Sequence, residues 1–129
     1  MFHVEQGRFF MREVTFNLPY PICISVNNIW KRSKQGIYIN PKAKKYREDV
    51  YYCTREIETF DDTQLEIIIK MFPPDRRVRD VDNILKSIFD ALQYAKIINS
   101  DYQIRKALIE RFDPVCPDGL IEVTLRSMV

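Results

Sequence analysis

A short segment in the middle of the chain combines carboxylates and arginines at close spacing. Asp80 and Asp82 are separated by one residue, and Arg76, Arg77 and Arg79 come just before them. Arginines bind phosphates, whereas carboxylates hold the hard divalent cations that promote phosphodiester hydrolysis. The segment therefore indicates the chemistry of a nuclease that acts on nucleic acid.

Three aspartates, Asp80, Asp82 and Asp101, form the candidate metal site. Mg²⁺ prefers oxygen ligands and is held by a few carboxylates, with water and substrate phosphate completing its shell. Lys86, one helical turn after Asp82, is the candidate group for neutralising charge on a transferring phosphate. Structural roles would explain the same residues. Asp80 fits a helix cap, Asp82 suits the helix dipole, and Lys86 could form an i,i+4 ion pair with Asp82.

Basic residues form two groups, and both precede the carboxylate pair in the sequence. Besides the three arginines, a loop and the helix start after it contain Lys31, Arg32, Lys34, Lys42, Lys44, Lys45 and Arg47. Trp30 and Tyr38 are interleaved with this group, and exposed aromatic rings can stack on unpaired bases. A solvated surface explains the loop alone equally well. The combination of two basic groups with a carboxylate pair favours nucleic acid, with Lys31, Arg32 and Lys34 joining Arg76, Arg77 and Arg79 as candidate DNA-binding residues.

Composition sets broad limits on function. With 129 residues we expect a single domain over 1–129, in which residues 1–11 are an N-terminal extension. The net charge is only +2, so nucleic-acid binding must depend on where the charge lies. Three cysteines and one histidine disfavour a disulfide framework or a zinc site and favour cysteines that act as small apolar residues. No signal peptide, membrane span or glycine-rich phosphate loop is recognisable, which predicts a cytoplasmic protein without membrane contact or a small-molecule cofactor.

The periodicity of apolar residues predicts six main elements. Strands are expected at 12–18, 64–72, 102–112 and 120–126, and helices at 41–59 and at about 82–95. Residues 102–112 fit either a strand or a short helix, and a strand is favoured because Asp118-Gly119 and a strong strand follow. The twenty or so residues after the first strand are expected to be irregular. The order β-α-β-α-β-β predicts an α+β fold, a mixed sheet with helices packed on one face.

Both helices show an apolar stripe. In the first helix the stripe comprises Ala43, Tyr46, Val50, Cys53 and Ile57. In the second helix the spacing is clearer, and the stripe comprises Val81, Ile84, Leu85, Ile88, Phe89 and Leu92. The carboxylate pair therefore lies at the start of an amphipathic helix.

The chain resembles the RusA-like family of Holliday junction resolvases, which are often encoded by phages and prophages. The resemblance depends on Pro74-Asp75-Arg76-Arg77, Arg79-Asp80-Val81-Asp82-Asn83, Lys86, Phe89-Asp90-Ala91-Leu92, and Asp101 after Ile97-Ile98-Asn99. These spacings hold without a gap through residue 101. The chain departs from the family in residues 1–11 and in the separation of Pro21 from Ser25, where the family has prolines directly before the serine.

The resemblance implies a homodimeric, Mg²⁺-dependent endonuclease that cuts four-way DNA junctions by symmetric nicks. It also implies that Asp80, Asp82 and Asp101 bind the metal and that Lys86 is a supporting catalytic group. Two other hypotheses remain open. The chain could be a non-catalytic nucleic-acid-binding module of phage origin, or a protein-interaction module of a phage operon.

The predicted helix creates a geometric difficulty for this site. A helix over residues 82–95 spans about 20 Å, with Asp80 before it and Asp101 after it. Either residues 96–101 double back along the helix, or a second subunit supplies one of the carboxylates. A two-fold dimer could bring the ends of two such helices together. The sequence leaves both alternatives open.

Overall fold

The computed structural model describes the backbone of residues 3–5, 8–21, 30–33, 36–39 and 41–128, and the side chains of 12–21 and 41–128. The strands are β1 (His3–Glu5), β2 (Arg8–Leu18), β3 (Trp30–Ser33), β4 (Gly36–Ile39), β5 (Leu65–Phe72), β6 (Ile104–Arg111) and β7 (Leu120–Met128). The helices are α1 (Pro41–Thr54) and α2 (Val81–Tyr94), and a 3-10 turn (Asp101–Gln103) precedes β6. No helix in these ranges is long and apolar enough to cross a membrane.

Five of the strands form one mixed sheet in the order β1-β2-β7-β5-β6. β5 pairs antiparallel with β7 and parallel with β6, and α2 makes the crossover between β5 and β6. β1 and the first residues of β2 fall within residues 1–11, so part of the expected extension belongs to the sheet. The predicted α+β fold and the order of its six main elements are confirmed.

The core explains why both helices lie on one face of the sheet. Leu65, Ile67, Ile69 and Met71 of β5 are fully buried, and they cluster with Ile88 of α2. The residues of β5 that point to the other face are only half-buried from residue 68 onward. Burial of each large aliphatic side chain contributes about 1.5–3 kcal/mol, so the alternation fixes which face the helices cover.

Two sequence predictions about the first half of the chain are wrong in detail. The segment expected to be irregular contains β3 and β4, which pair antiparallel. These strands have four residues each, too few for apolar alternation to show.

Helix α1 ends at Thr54 rather than at residue 59. Its buried face includes Thr54, whereas Cys53, which the sequence placed in the apolar stripe, is exposed. Thr54 follows Val50 by four residues and so lies on the same face of the helix. Its hydroxyl donates to the Val50 carbonyl at 2.8 Å. Cys23, one of the three cysteines, and Asn40, a candidate cap for the first helix, lie outside the described residues.

A bidentate ion pair joins α1 to α2. Arg47 donates to both carboxylate oxygens of Asp90, Nε to Oδ2 at 2.7 Å and Nη2 to Oδ1 at 2.8 Å. The hydrogen bond to Asp90 raises the pKa of Arg47 above its usual value. The guanidinium also lies 5.2 Å from the ring centre of Tyr94. Arg47, which the sequence grouped with the DNA-facing basic residues, is therefore engaged between the helices.

Removal of this ion pair should destabilise the protein. Both side chains are mostly shielded, 16% and 23% exposed, so Asp90→Ala would leave the Arg47 charge without its carboxylate. We expect the free energy of unfolding to fall by about 2 kcal/mol. Asp49→Ala is the matched control, because it breaks an exposed i,i+4 pair with Lys45 and should change stability by less than about 0.5 kcal/mol. Urea unfolding measures both, and equal effects would contradict the assigned role.

Candidate functional site

Asp80 is the N-cap of α2. It has extended backbone angles, and its Oδ1 accepts the backbone N–H of Asp82 at 2.9 Å. This confirms the structural role that the sequence offered as the alternative to metal binding. The two roles are compatible, because the cap uses one carboxylate oxygen and the side chain is exposed. Asp80 can therefore cap the helix and still present an oxygen to a cation.

Asp82 and Lys86 lie on exposed positions of the first two turns of α2. Within the described residues they do not form the i,i+4 ion pair that would have been the structural explanation. Asp82 is thus available as an oxygen ligand, and the Lys86 ammonium is not held by it. Two exposed carboxylates and one ammonium at the start of a helix suit a hard cation and a phosphate. Their assignment as site residues remains a prediction.

The segment between β5 and α2 is held in shape by Asp75. This carboxylate accepts Arg79 Nη1 at 2.7 Å and Nη2 at 3.0 Å, and it accepts the backbone N–H of Arg77 at 2.9 Å. The Arg79 guanidinium lies 5.9 Å from the ring centre of Tyr20 and is mostly shielded from solvent. Arg79 therefore organises the loop, and its predicted contact with DNA remains a prediction.

These contacts predict at which pH the Asp75 carboxylate becomes protonated. The bond from Arg79 and the N–H of Arg77 lower the pKa of Asp75 to about 2. Because the folded pKa is lowered, this stabilisation is present above the ordinary carboxylate pKa and is lost as the pH falls through about 2. Carboxyl ¹³C NMR should show this low value in the wild type and a rise toward about 4 in Arg79→Gln. Titration of wild-type Asp75 near pH 4 would contradict the assigned contacts.

The other two arginines of this loop face solvent. The Arg76 side chain is 80% exposed and the Arg77 side chain 83% exposed, and their contacts with aspartates are long, at 3.4 and 4.0 Å. Together with Arg111 at the end of β6 they line a polar cleft of about 480 Å³. Exposed ion pairs contribute little to stability, so phosphates could replace them at low cost. Arg111 was not among the predicted DNA-binding residues, because a single arginine at the end of a strand forms no sequence pattern that indicates DNA binding.

The predicted basic loop is only partly described. Lys31 and Arg32 lie in β3, where the backbone alone is described, and Lys34 lies outside the described residues. Their role in DNA binding therefore remains a prediction. Trp30 lies in β3 and Tyr38 in β4, where again only the backbone is described.

Asp101 is held at the opposite end of α2. Its backbone N–H donates to Oε1 of Gln93, in the last turn of the helix, at 3.2 Å. Gln103 fixes the turn that contains Asp101, because its Nε2 donates to the Phe60, Asp61 and Thr63 carbonyls at 2.9–3.1 Å. Sequence reasoning missed Gln103, although its Oε1 also accepts the backbone N–H groups of Asn99 and Ser100. Ser100 and Gln103 form a capping box, and a serine followed three residues later by a glutamine is a local signal that could have found this residue. The Asp101 side chain itself is exposed.

The single chain does not bring the three aspartates together. Helix α2 has 14 residues, so its two ends are about 20 Å apart. Residues 96–101 return only as far as Gln93, and not along the helix toward Asp80. Among the described residues, no three His, Cys, Asp or Glu side chains are grouped closely enough to hold a metal ion. The sequence left two ways to bring the three aspartates together. Residues 96–101 do not double back along the helix, so the alternative that remains is a second subunit that supplies one of the carboxylates.

Comparison with known proteins gives the chain a family. Residues 19–126 match the family described as Endodeoxyribonuclease RusA. The chain is 40% identical over 120 residues to "Crossover junction endodeoxyribonuclease rusA" of Enterobacteria phage HK97, covering 92% of this chain and 98% of that protein. It is 28% identical over 120 residues, with the same coverage, to the protein of this name from Escherichia coli (strain K12). It is 28% identical over 116 residues to that of Enterobacteria phage 82, covering 88% of this chain and 96% of the relative.

These matches cover almost the whole chain and include the arginine–aspartate segment, Lys86 and Asp101. The chain therefore belongs to the RusA endodeoxyribonuclease family.

Proposed function

We propose that this protein is a structure-selective DNA endonuclease that resolves four-way junctions by paired nicks. The observation that carries the proposal is the match over 92% of the chain to a relative named for crossover-junction cleavage. The geometry supports it, because exposed arginines lead directly into an exposed carboxylate pair at the start of α2. Cations for phosphates and ligands for a hard metal thus lie side by side.

Each residue has a distinct role in this proposal. Asp80, Asp82 and Asp101 provide the oxygen ligands for Mg²⁺, and bound Mg²⁺ supplies polarisation of the phosphoryl group and a more acidic attacking water. Lys86 stabilises the charge that develops on the phosphate. A binder without catalysis would need only the cations, and it would leave the exposed Asp80 and Asp82 beside DNA phosphates as a source of repulsion.

DNA recognition depends on the distribution of positive charge. Arg76, Arg77 and Arg111 line the polar cleft together with Asp75 and Asp113, and the three arginines can bind backbone phosphates. Lys31 and Arg32, with Lys34, would extend this surface. Phosphate contacts position a protein without reading bases, so junction selectivity would come from DNA shape and from the spacing of two sites in a dimer.

Cleavage of an end-labelled synthetic four-way junction tests the function. We expect symmetric nicks in the junction with Mg²⁺, none with EDTA, and none in a linear duplex of the same sequence. Cleavage of the duplex at the same rate would contradict junction selectivity. Salt-sensitive binding without any product in Mg²⁺ or Mn²⁺ would favour the non-catalytic alternative.

A further inference from the structure

We infer that the polar cleft at the ends of β5 and β6 holds an unpaired nucleotide of branched DNA. The base stacks on the ring of Phe112, and the phosphate beside it lies among the arginines of the cleft. The inference deepens the proposed function and rests on it for DNA as the substrate. The binding of an unpaired base is argued separately, from the aromatic and charged side chains that the cleft brings together.

The cleft lies where two parallel strands end at the same edge of the sheet. β5 ends at Phe72 and β6 ends at Arg111, and α2 connects the two strands. In open α/β sheets, ligands bind in the crevice outside the carboxyl ends of the strands. The cleft measures about 480 Å³, and pockets for small ligands measure roughly 300–1,000 Å³. Its position and its volume therefore suit a ligand of the size of a nucleotide.

Phe112 provides a fixed aromatic surface in this cleft. Its ring stacks on Phe72, with the ring centres 4.9 Å apart and the planes inclined by 14°. The backbone N–H of Phe112 donates to the Met71 carbonyl at 2.9 Å, which ties the residue to β5. Phe112 nevertheless remains 39% exposed. The ring is thus held in place by the protein and still has surface on which a base can stack.

An exposed phenylalanine would be ordinary by itself, because single apolar residues are common on protein surfaces. Phe112 differs in the residues that surround it. It lines the cleft together with three arginines, and Pro73 and Pro114 complete the wall. Because proline has a fixed φ angle, these two residues limit the rearrangement of the wall. An aromatic ring beside several arginines is the combination that binds unpaired nucleotides.

The cleft retains positive charge for a phosphate. Its charged residues are Arg76, Arg77, Arg111, Asp75 and Asp113. The Asp75 carboxylate already accepts both Nη atoms of Arg79, at 2.7 and 3.0 Å. Asp113 is 84% exposed, and its contact with Arg76 is 3.4 Å long, so this pair contributes little and can open. A phosphate that enters the cleft therefore meets more positive than negative charge.

This combination favours an unpaired base over a paired one. In a duplex the phosphates are accessible, but the faces of the bases are covered by their neighbours in the stack. A duplex can therefore bind the arginines without using Phe112. An unpaired base has a free face, and stacking on an aromatic side chain should raise its affinity about tenfold.

Phe112 thereby contributes to the choice of DNA structure. Removing a base from its stack costs least where pairing is already interrupted. The exchange point of a four-way junction is more easily opened than the interior of a linear duplex. The cleft loop also leads directly into the proposed site, because Arg77 precedes the N-cap Asp80 by three residues. Capture of an unpaired nucleotide adds to the selectivity that shape and site spacing provide.

Binding to a bulged duplex tests the inference without cleavage. A duplex with an unpaired thymine is compared with the fully paired duplex by fluorescence anisotropy in EDTA. We expect the wild type to bind the bulged duplex about tenfold more tightly, Phe112→Leu to lose this preference, and Phe112→Tyr to keep it. Arg76→Gln should weaken binding to both duplexes equally and lower the salt slope by about one. Tyr52→Leu removes an exposed ring on α1 and is the matched control with wild-type preference.

Phe112→Leu also loses the stack on Phe72, so circular dichroism must show that the variant is folded. A folded Phe112→Leu variant that still prefers the bulge would overturn the inference. Crosslinking of the wild type provides a second measurement that needs no variant. With 5-iodouracil at the unpaired position, ultraviolet light should link the DNA to the peptide that contains Phe112. Crosslinks found only in other peptides would contradict the assigned position of the base.

These tests separate the inference from the proposed function. A wild type that cleaves four-way junctions but binds both duplexes equally would contradict the inference and leave the nuclease function intact. A wild type that prefers the bulge through Phe112 and cleaves no junction would count against the proposed function alone.

Discussion

Asp82→Asn should abolish cleavage of a four-way junction without weakening DNA binding. The substitution keeps the size of the side chain and removes the charge of an exposed carboxylate in the first turn of α2. Loss of a metal ligand costs several kcal/mol of transition-state stabilisation, so we expect a fall in cleavage rate of about 10³-fold or more. Binding should be unchanged or tighter, because repulsion between the carboxylate and DNA phosphate is removed.

Gel-shift titration and single-turnover cleavage separate these two effects. Asp49→Asn is the matched control, because it makes the same chemical change on α1 and should leave both measurements at the wild-type level. If Asp82→Asn weakened binding and cleaved bound junction at the normal rate, Asp82 would be a structural residue of α2. The family membership would then stand, and the metal role of Asp82 would not.

Gly119→Ala should strongly destabilise the loop that leads into the site. Gly119 has φ +74°, and an added Cβ would lie 2.9 Å from Cβ of Tyr20 and 3.0 Å from N of Pro74. The backbone of Pro74 cannot rotate away as a flexible side chain would. We expect the free energy of unfolding to fall by roughly 2–4 kcal/mol, from the left-handed conformation together with the overpacking.

The same substitution should also lower activity at temperatures where the protein is folded. Pro74 immediately precedes Asp75, whose contacts with Arg77 and Arg79 hold the arginines before Asp80. Urea unfolding and junction cleavage measure the two effects, with the exposed neighbour Asp118→Ala as the control. A Gly119→Ala variant as stable as the control would show that this contact does not hold the loop.

The sequence was most informative where local physics decides the structure. The apolar stripe of α2 is complete over about three turns, and Asp80 lies where a cap is needed, so the helix and its N-cap could be predicted. β5 could be recognised as an interior strand, because it has apolar residues on both faces. These two elements position half of the proposed site.

The rest depended on contacts between distant parts of the chain. The turn that contains Asp101 is held by Gln103 through carbonyls at least 40 residues earlier, and Arg47 finds Asp90 across 43 residues. No local pattern reveals these long-range partners, although the Ser100–Gln103 capping box that also holds the turn is a local one. The exposed edge of β6 was also hidden, because a strand with Leu108 and Ile109 between charged residues is compatible with an interior or an edge position.

The central claim is that carboxylates from two copies meet around one hard cation. Anomalous diffraction from crystals grown with Mn²⁺ in place of Mg²⁺ tests it most directly. We predict a peak contacted by Asp80 and Asp82 of one chain and by Asp101 of the partner. A manganese peak that lies away from Asp80 and Asp82, or one completed without Asp101 of either copy, would contradict the account.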